Sequence, residues 1–203
     1  MKRSTKPESP WLRAFRLKVE KTPRRVLRDS NLREYFLVDF FHDAIIAKMA
    51  FNHTAQTLQV TLLTDRKKAP PYSRAWGIRL PTYDDSKHYY SWDCLFSHVS
   101  HFSLNAILTK VEHMNGETTE ENWAFSPWRP SHFEYLGGQF MTSSRLKQHE
   151  RSFNRKLFHL KMDCNTRIVD VIFDRIRIKR GKQVPHYWSQ RKQFESYLRK
   201  VAA

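Results

Sequence analysis

Residues 44–51, Ala-Ile-Ile-Ala-Lys-Met-Ala-Phe, and residues 57–63, Thr-Leu-Gln-Val-Thr-Leu-Leu, carry the clearest fold signal in this chain of 203 residues. Both stretches are rich in β-branched and large apolar side chains. A short polar link, Asn-His-Thr-Ala-Gln at 52–56, joins them. Two such runs around a short polar link are typical of an antiparallel hairpin. The sequence therefore predicts a hairpin here.

Further strand-like stretches surround the hairpin. In the last of them, alternate positions of a regular strand would place Ile172, Ile176 and Ile178 on the same face as Asp170 and Asp174. This mixture of apolar and acidic residues predicts a bend or bulge in that strand. Together the stretches predict an α+β protein with one mainly antiparallel β-sheet domain and flanking basic N- and C-terminal helices. The predicted strands are 75–80, 89–96, 99–107, 158–164 and 168–179, with a turn at Asn165-Thr166 before the last.

The ends of the chain have weaker patterns. Trp11, Phe15 and Val19 fit one helical face, although Phe15 to Val19 also alternates as a strand would. Asp29 or Ser30 could cap a helix running to Phe40, and Pro185 is predicted to open a final helix. The sequence thus divides into a basic N-terminal arm (1–28), a β-rich core domain (29–180) and a basic C-terminal helix (181–203).

Charge is concentrated at the two ends. The chain has 36 Lys+Arg against 20 Asp+Glu, a formal net charge of +16. Such asymmetry is typical of terminal elements that meet a polyanion, although solvated ends would look the same. The segment nets are +8 for residues 1–28, −3 for 29–139, +3 for 140–174 and +8 for 175–203.

The sequence lacks the motifs that are typical of several functional classes. None of the five glycines lies in a dinucleotide- or triphosphate-binding loop. The two cysteines, Cys94 and Cys164, are far apart and form no Cys-x-x-Cys pair. No apolar run is long enough for a membrane span, and no apolar stretch follows the basic N-terminus. We therefore expect no cofactor and a cytoplasmic location with reduced thiols.

The step Phe41-His-Asp-Ala44, opening the predicted hairpin, resembles small bacterial β-rich domains that begin with Phe-His-Asp-Ser or Phe-His-Asp-Ala. Some of those domains are immunity-type proteins of toxin systems. The resemblance covers about residues 41–180 and implies a β-rich fold. It implies no shared catalytic mechanism, and no site residue is transferred.

Basic residues at both ends are the main candidates for binding nucleic acid. Arg175, Arg177 and Lys179 fall on one face of the last predicted strand, at the period-two spacing that could meet successive phosphates. Such a row could instead protect an edge strand from aggregation. Trp128 with Arg129 could stack on bases, contact a protein, or fill a core. The candidates are Arg13, Arg16, Lys18, Arg24, Arg25, Arg28, Trp128, Arg129, Arg175, Arg177, Lys179, Arg180, Lys182, Arg191, Lys192, Arg199 and Lys200.

Catalytic and metal chemistry have less support. Cys94, His98 and His101 have spacings near those of zinc ligands, but a strand would point the two histidines to opposite faces. Two acidic motifs, His42-Asp43 and Asp84-Asp85, could be fragments of a metal-dependent nuclease, or merely polar loop residues. We therefore predict no metal site and favour a non-catalytic protein over an enzyme.

The sequence favours a non-catalytic nucleic-acid-binding protein, or such a subunit of a larger complex, that contacts phosphates through its basic termini. The alternative is a protein-interaction module, of immunity or adaptor type, that docks on an acidic partner. A metal-dependent nuclease is the third reading. The sequence distinguishes neither DNA from RNA nor single from double strands.

Overall fold

The computed structural model of the chain describes eight segments of the molecule. They are residues 10–37, 40–66, 88–106, 109–112, 118–121, 134–164, 167–187 and 189–202. Four predictions fall outside these segments: the strand at 75–80, the turn at 165–166, the Asp84-Asp85 motif and the Trp128-Arg129 pair.

The described residues form ten strands, four α-helices and one π-helical segment. The helices are α1 (Pro10–Lys21), α2 (Arg24–Arg28), the π-helical segment Leu32–Leu37, α3 (Ser144–Phe153) and α4 (Arg191–Ala202). The strands are β1 (Ala44–Asn52), β2 (Thr57–Thr64), β3 (His88–Ser97), β4 (His101–Ala106), β5 (Thr109–Glu112), β6 (Thr118–Glu121), β7 (Glu134–Phe140), β8 (Phe158–Cys164), β9 (Arg167–Phe173) and β10 (Arg175–Pro185).

Eight strands form one antiparallel sheet in the order β10-β3-β2-β1-β7-β8-β9-β4, and β5 pairs with β6 separately. This architecture confirms the predicted α+β class with an antiparallel sheet. The predicted hairpin is also confirmed, because β1 pairs with β2 from Ile45–Leu63 to Asn52–Thr57. The residues between the two strands form a turn in which the Asn52 side chain accepts a hydrogen bond from the Ala55 amide at 2.8 Å.

Strands β10 and β4 are at the two ends of the strand order, and each directly follows a strand of the same sheet in the chain. Asp174 alone separates β9 from β10, and residues 98–100 separate β3 from β4. The Asp174 amide donates to the Ser97 carbonyl at 3.2 Å, and the Ser100 amide donates to the Ile172 carbonyl at 2.9 Å. Strand pairing therefore continues across both gaps. One apolar cluster fills the interior and includes residues of β1, β2, β3, β7, β8, β9 and β10.

The chain before β1 packs into the same interior. Phe36 and Phe41 are buried, and their rings lie 5.4 Å apart in an edge-on arrangement. The predicted cap at Asp29 is confirmed, since its carboxylate accepts a hydrogen bond from the Leu32 amide at 3.0 Å. Val26 of α2 is also part of this cluster. The basic N-terminal segment is therefore anchored to the core through α2.

Two helices cover the outside of the sheet. Leu146 of α3 packs with Ile172 of β9. Phe194 of α4 is fully buried against Ile45 and Val184. Since each helix buries one apolar side, its charged residues remain on the outer surface.

The prediction that Pro185 opens the final helix is wrong. Pro185 is the last residue of β10, and the helix begins at Arg191. The pairing of β10 with β3 continues past a register shift between Arg180 and Gln183, so the strand extends to the proline. Pro185 is at the end of an edge strand, where a missing amide donor costs little. In the described part of the chain, no helix has the length and apolar character needed to cross a membrane.

Candidate nucleic-acid interface

The outward side of β10 carries a row of cations. Arg175, Arg177 and Lys179 are exposed, whereas Ile176 and Ile178 point into the sheet interior. Alternate residues of a strand lie about 7 Å apart on one face. The row is therefore a straight line of positive charge along one edge strand.

A phase change at Asp174 sets which residues of β10 face outward. In β9 the interior residues are Val169, Val171 and Phe173, whereas in β10 the next interior residue is Ile176. Asp174 is the extra residue between the two phases. Ile172 consequently faces outward, into the cluster under α3, and is on the opposite face from Ile176 and Ile178. The predicted bend is confirmed by the break between the two strands.

Several groups hold Asp174 in place. Its carboxylate lies 3.2 Å from His98 Nδ1, 3.6 Å from Arg155 Nη1 and 3.6 Å from Arg175 Nε. The three partners come from the β3–β4 link, the α3–β8 link and β10 itself. Arg175 is thus the one cation of the row that is partly neutralised by a described residue, although its side chain is 80% exposed.

The cation row borders a polar surface made by the outer residues of β3, β2 and β1. Hydroxyl and amide groups dominate it. Thr61 is buried, and the other groups of this kind can donate hydrogen bonds to phosphate oxygens. Strand pairing places these residues in three rows that run across β10, β3, β2 and β1 in that order. The rows are Arg175, Ser97, Thr57 and Asn52; Arg177, Leu95, Gln59 and Ala50; and Lys179, Asp93, Thr61 and Lys48.

This surface has a positive balance. Among its described residues, Asp93 is the one acid, and its carboxylate accepts a hydrogen bond from Thr61 Oγ1 at 2.8 Å. Within the described chain, no ion pair involves Arg177, Lys179 or Lys48. Their charges are therefore available to an anionic partner.

Helix α4 borders one end of the surface. Burial of Tyr197 of α4, together with the Asp93 charge, raises the pKa of its phenol, and the phenol also forms a hydrogen bond with Ser91. Lys200 lies one helical turn beyond Tyr197, on the same side of α4. Arg191 is engaged with Glu195 at 2.8 Å. The exposed cations of α4 that remain are Lys192, Arg199 and Lys200.

A contact between the two basic ends was not foreseen from the sequence. Asn31, just beyond α2, donates through Nδ2 to the Ile176 carbonyl of β10 at 3.3 Å. This bond brings the end of α2 to the edge of β10 beside Arg175 and Arg177. Arg28, three residues before Asn31, is exposed. The segment that follows α2 therefore contacts the strand that carries the C-terminal row of cations.

The other N-terminal candidates differ in the contacts and the exposure of their side chains. Arg25 forms an ion pair with Glu150 and stacks on the Phe158 ring at 5.3 Å. Arg16 pairs with Glu20 at 3.1 Å. Structural contacts thus occupy these two arginines. Arg13 and Arg24 are exposed, and Lys18 is half-buried at a groove beside β7.

Two further candidates lie at the register shift of β10, between Arg180 and Gln183. The guanidinium of Arg180 lies 5.9 Å from the Tyr90 ring centre. The Lys182 carbonyl accepts a hydrogen bond from Ser91 Oγ at 3.0 Å, while the Lys182 side chain is exposed. Lys48 was missed in the sequence analysis. The signal for it was a single cation within an otherwise apolar strand.

The candidate zinc ligands do not converge. Cys94 is fully buried in the sheet interior, where burial raises the pKa of its thiol. His98 is exposed in a left-handed turn, with φ of 51°. Burial lowers the pKa of His101, whose ring contacts Arg145 at 3.2 Å on the outer face.

The nuclease motif has a local role. His42 Nδ1 lies 2.9 Å from the Asp43 carboxylate, and both side chains are about half exposed. The backbone of Asp43 is left-handed, with φ of 64°, and its amide donates to the Tyr135 carbonyl at 2.9 Å. This geometry turns the chain into β1 between the buried Phe41 and Ala44.

One chain of side-chain hydrogen bonds has the residue types of a hydrolytic triad. Ser143 Oγ lies 2.9 Å from His159 Nδ1, and His159 Nε2 lies 2.7 Å from the Asp170 carboxylate. Ser143 Oγ also caps α3 by accepting a hydrogen bond from the Leu146 amide at 3.0 Å. Since the carboxylate only accepts, Nε2 carries a proton, and in the neutral ring Nδ1 is then the acceptor for the serine hydroxyl. The arrangement holds α3 against β8 and β9.

Comparison with known proteins gives no match, either to a protein-family model or to a curated protein.

Proposed function

We propose that this protein binds nucleic acid without catalysis, through phosphate contacts at the outer face of β10, β3, β2 and β1. The observation that carries the proposal is the outward row Arg175, Arg177 and Lys179, next to a polar surface with one acid. Lys48 and the cations of α4 extend the same charged region. Under this proposal the protein is cytoplasmic, and it acts alone or as a subunit of a larger complex.

Phosphate contact explains this surface better than edge protection alone. Edge protection needs charge only on the strand itself, whereas the cations of this region also occur on β1 and α4. Unpaired guanidinium and ammonium groups release counterions when they meet phosphates, which favours binding. Arginine can also bind two phosphate oxygens with its planar fork.

The experiment measures fluorescence anisotropy of labelled nucleic acid with the wild-type protein and two double variants. The first, Arg177→Glu with Lys179→Glu, reverses the charge at two of the three positions of the row. Lys147→Glu with Arg151→Glu changes exposed residues of α3 and has the same net charge. The probes are a duplex DNA, a duplex RNA and a single-stranded RNA of one length, titrated between about 50 and 200 mM salt.

The wild-type affinity is expected to fall steeply as salt rises. The row variant should bind at least about tenfold more weakly, and its log–log salt slope should be smaller by about 2, because two phosphate contacts are lost. The α3 variant should remain close to wild type. Equal weakening by both variants would show that net charge alone attracts the probe. No binding of any probe by the folded wild-type protein would overturn the proposal.

A further inference from the structure

A groove on another part of the surface is not explained by nucleic-acid binding. It lies between α1 and the end of β7 and has a volume of about 430 Å³. Ala14, Leu17 and Phe140 supply its apolar lining. Cavities of roughly 300–1,000 Å³ with mainly apolar walls and a few polar groups are typical of small-molecule sites. The groove has the size and lining of such a site.

The apolar wall of the groove is open to solvent. Leu17 is 42% exposed, whereas Phe15 on the same helix is 5% exposed. The side of α1 that carries Phe15 is therefore already packed, and the Leu17 side chain is left at the surface. A ligand with an apolar group would remove the Leu17 side chain from water, which is favourable in proportion to the area covered.

The polar rim of the groove is cationic. Lys18 and Lys21 contribute to it, and no acidic residue is among its lining residues. The two lysines lie one turn apart on α1, so their ammonium groups can approach one ligand. The hydroxyl of Thr22, also in the lining, donates to the Lys18 carbonyl at 2.7 Å. The rim therefore favours an anionic head group over a cationic one.

We propose that this groove binds a small anionic amphiphile of the fatty-acid class. The alkyl chain contacts Ala14, Leu17 and Phe140, and the carboxylate lies between Lys18 and Lys21. Charge complementarity selects the carboxylate, and the apolar wall selects the chain. The inference is independent of the proposed nucleic-acid interface, because none of the groove residues belongs to that surface.

The experiment is isothermal titration calorimetry of the full chain with dodecanoate below its critical micelle concentration. Dodecylammonium, which has the same chain with the opposite charge, and butyrate, which has the same head group with a short chain, are the comparison ligands. Ala14→Phe fills the groove from an exposed helix position, and Lys18→Glu with Lys21→Glu reverses its rim. Lys147→Glu with Arg151→Glu on α3 is the charge-matched control.

Dodecanoate should bind at one site, and both groove variants should weaken it by at least about tenfold. The α3 control should bind dodecanoate like the wild type, and the two comparison ligands should bind at least about tenfold more weakly than dodecanoate. If Ala14→Phe fails to fold, the rim variant decides the outcome. Equal affinity for dodecylammonium, or unchanged dodecanoate binding by the folded groove variants, would overturn the proposal. So would the absence of dodecanoate binding by the wild type.

Discussion

Arg25 and Glu150 are 125 residues apart in the chain, and their side chains form an ion pair. The same carboxylate accepts a hydrogen bond from the Leu157 amide at 3.1 Å and lies 3.8 Å from Lys156 Nζ. The Arg25 guanidinium also covers the ring of Phe158. One carboxylate therefore joins α2, α3 and the start of β8.

Replacement of Glu150 by glutamine should lower stability in a pH-dependent way. Burial alone would raise the pKa of Glu150, but hydrogen bonds from Arg25 and Leu157 and the charges of Arg25 and Lys156 lower it below its ordinary value. A lowered pKa stabilises the fold above the unfolded-state pKa of about 4.3, and this stabilisation is lost as pH falls through the folded-state pKa. We expect Glu150→Gln to reduce the free energy of unfolding by about 1–3 kcal/mol at neutral pH.

Urea unfolding from neutral to acidic pH measures this effect. The difference between wild type and Glu150→Gln should shrink as the wild-type carboxylate protonates. Glu20→Gln is the control, because its pair with Arg16 is exposed and should contribute less than about 1 kcal/mol. A loss of stability for Glu150→Gln that does not change with pH would contradict the role of the charge.

His159 and Asp170 should show coupled effects on stability. His159 is 6% exposed and contacts both Ser143 and Asp170. Removal of either partner leaves the other in a poorly solvated place without its hydrogen bond. We expect His159→Ala and Asp170→Ala to be non-additive in a double-mutant cycle, with a coupling energy of about 0.5–3 kcal/mol. Additive losses would show that the hydrogen bond does not couple the two residues.

The adjacent glycines of β7 should respond differently to alanine. A Cβ at Gly138 would collide with the hydroxyl of Tyr135, whereas a Cβ at Gly137 would have nothing within 4 Å. Tyr135 is fully buried, so its ring has little room to move. We expect Gly138→Ala to cost about 1–3 kcal/mol and Gly137→Ala to be neutral or slightly stabilising. Thermal unfolding of the two variants provides the comparison, and equal melting temperatures would contradict it.

Both thiols should be inert in the folded protein. Burial raises the pKa of Cys164 to about 12, with a further contribution from the Asp163 charge, and raises that of Cys94 as well. Since the thiolate is the reactive form, we expect negligible reaction with Ellman's reagent under native conditions. Both cysteines should react after denaturation in urea. Rapid reaction of the native protein would show that one of these sites opens readily.

Local patterns in the sequence predicted much of the fold. The hairpin at 44–63, the strands at 89–96 and 158–164 and the cap at Asp29 follow from periodicity and side-chain chemistry within short windows. These signals are local because a strand or a cap depends mainly on its own residues. The same patterns correctly indicated an outward row of Arg175, Arg177 and Lys179.

The ambiguous stretches needed tertiary contacts. Residues 11–19 fit two periods, and burial of Phe15 accompanies the helix. Strand β10 extends as far as Pro185, the predicted start of the helix, because its pairing with β3 continues to that residue. Short windows do not contain such partners, so the sequence left the first element open and placed the start of the final helix wrongly.

The sequence by itself determined the antiparallel β-rich class and the basic character of both ends, because residue type and period are properties of the chain alone. Tertiary structure alone decided that Asp174 shifts the phase between β9 and β10, that Glu150 engages Arg25, and that Asn31 joins the two basic ends at Ile176. A single extra residue exchanges the two faces of a strand. A charge remains available or becomes paired according to which distant residue folding brings beside it.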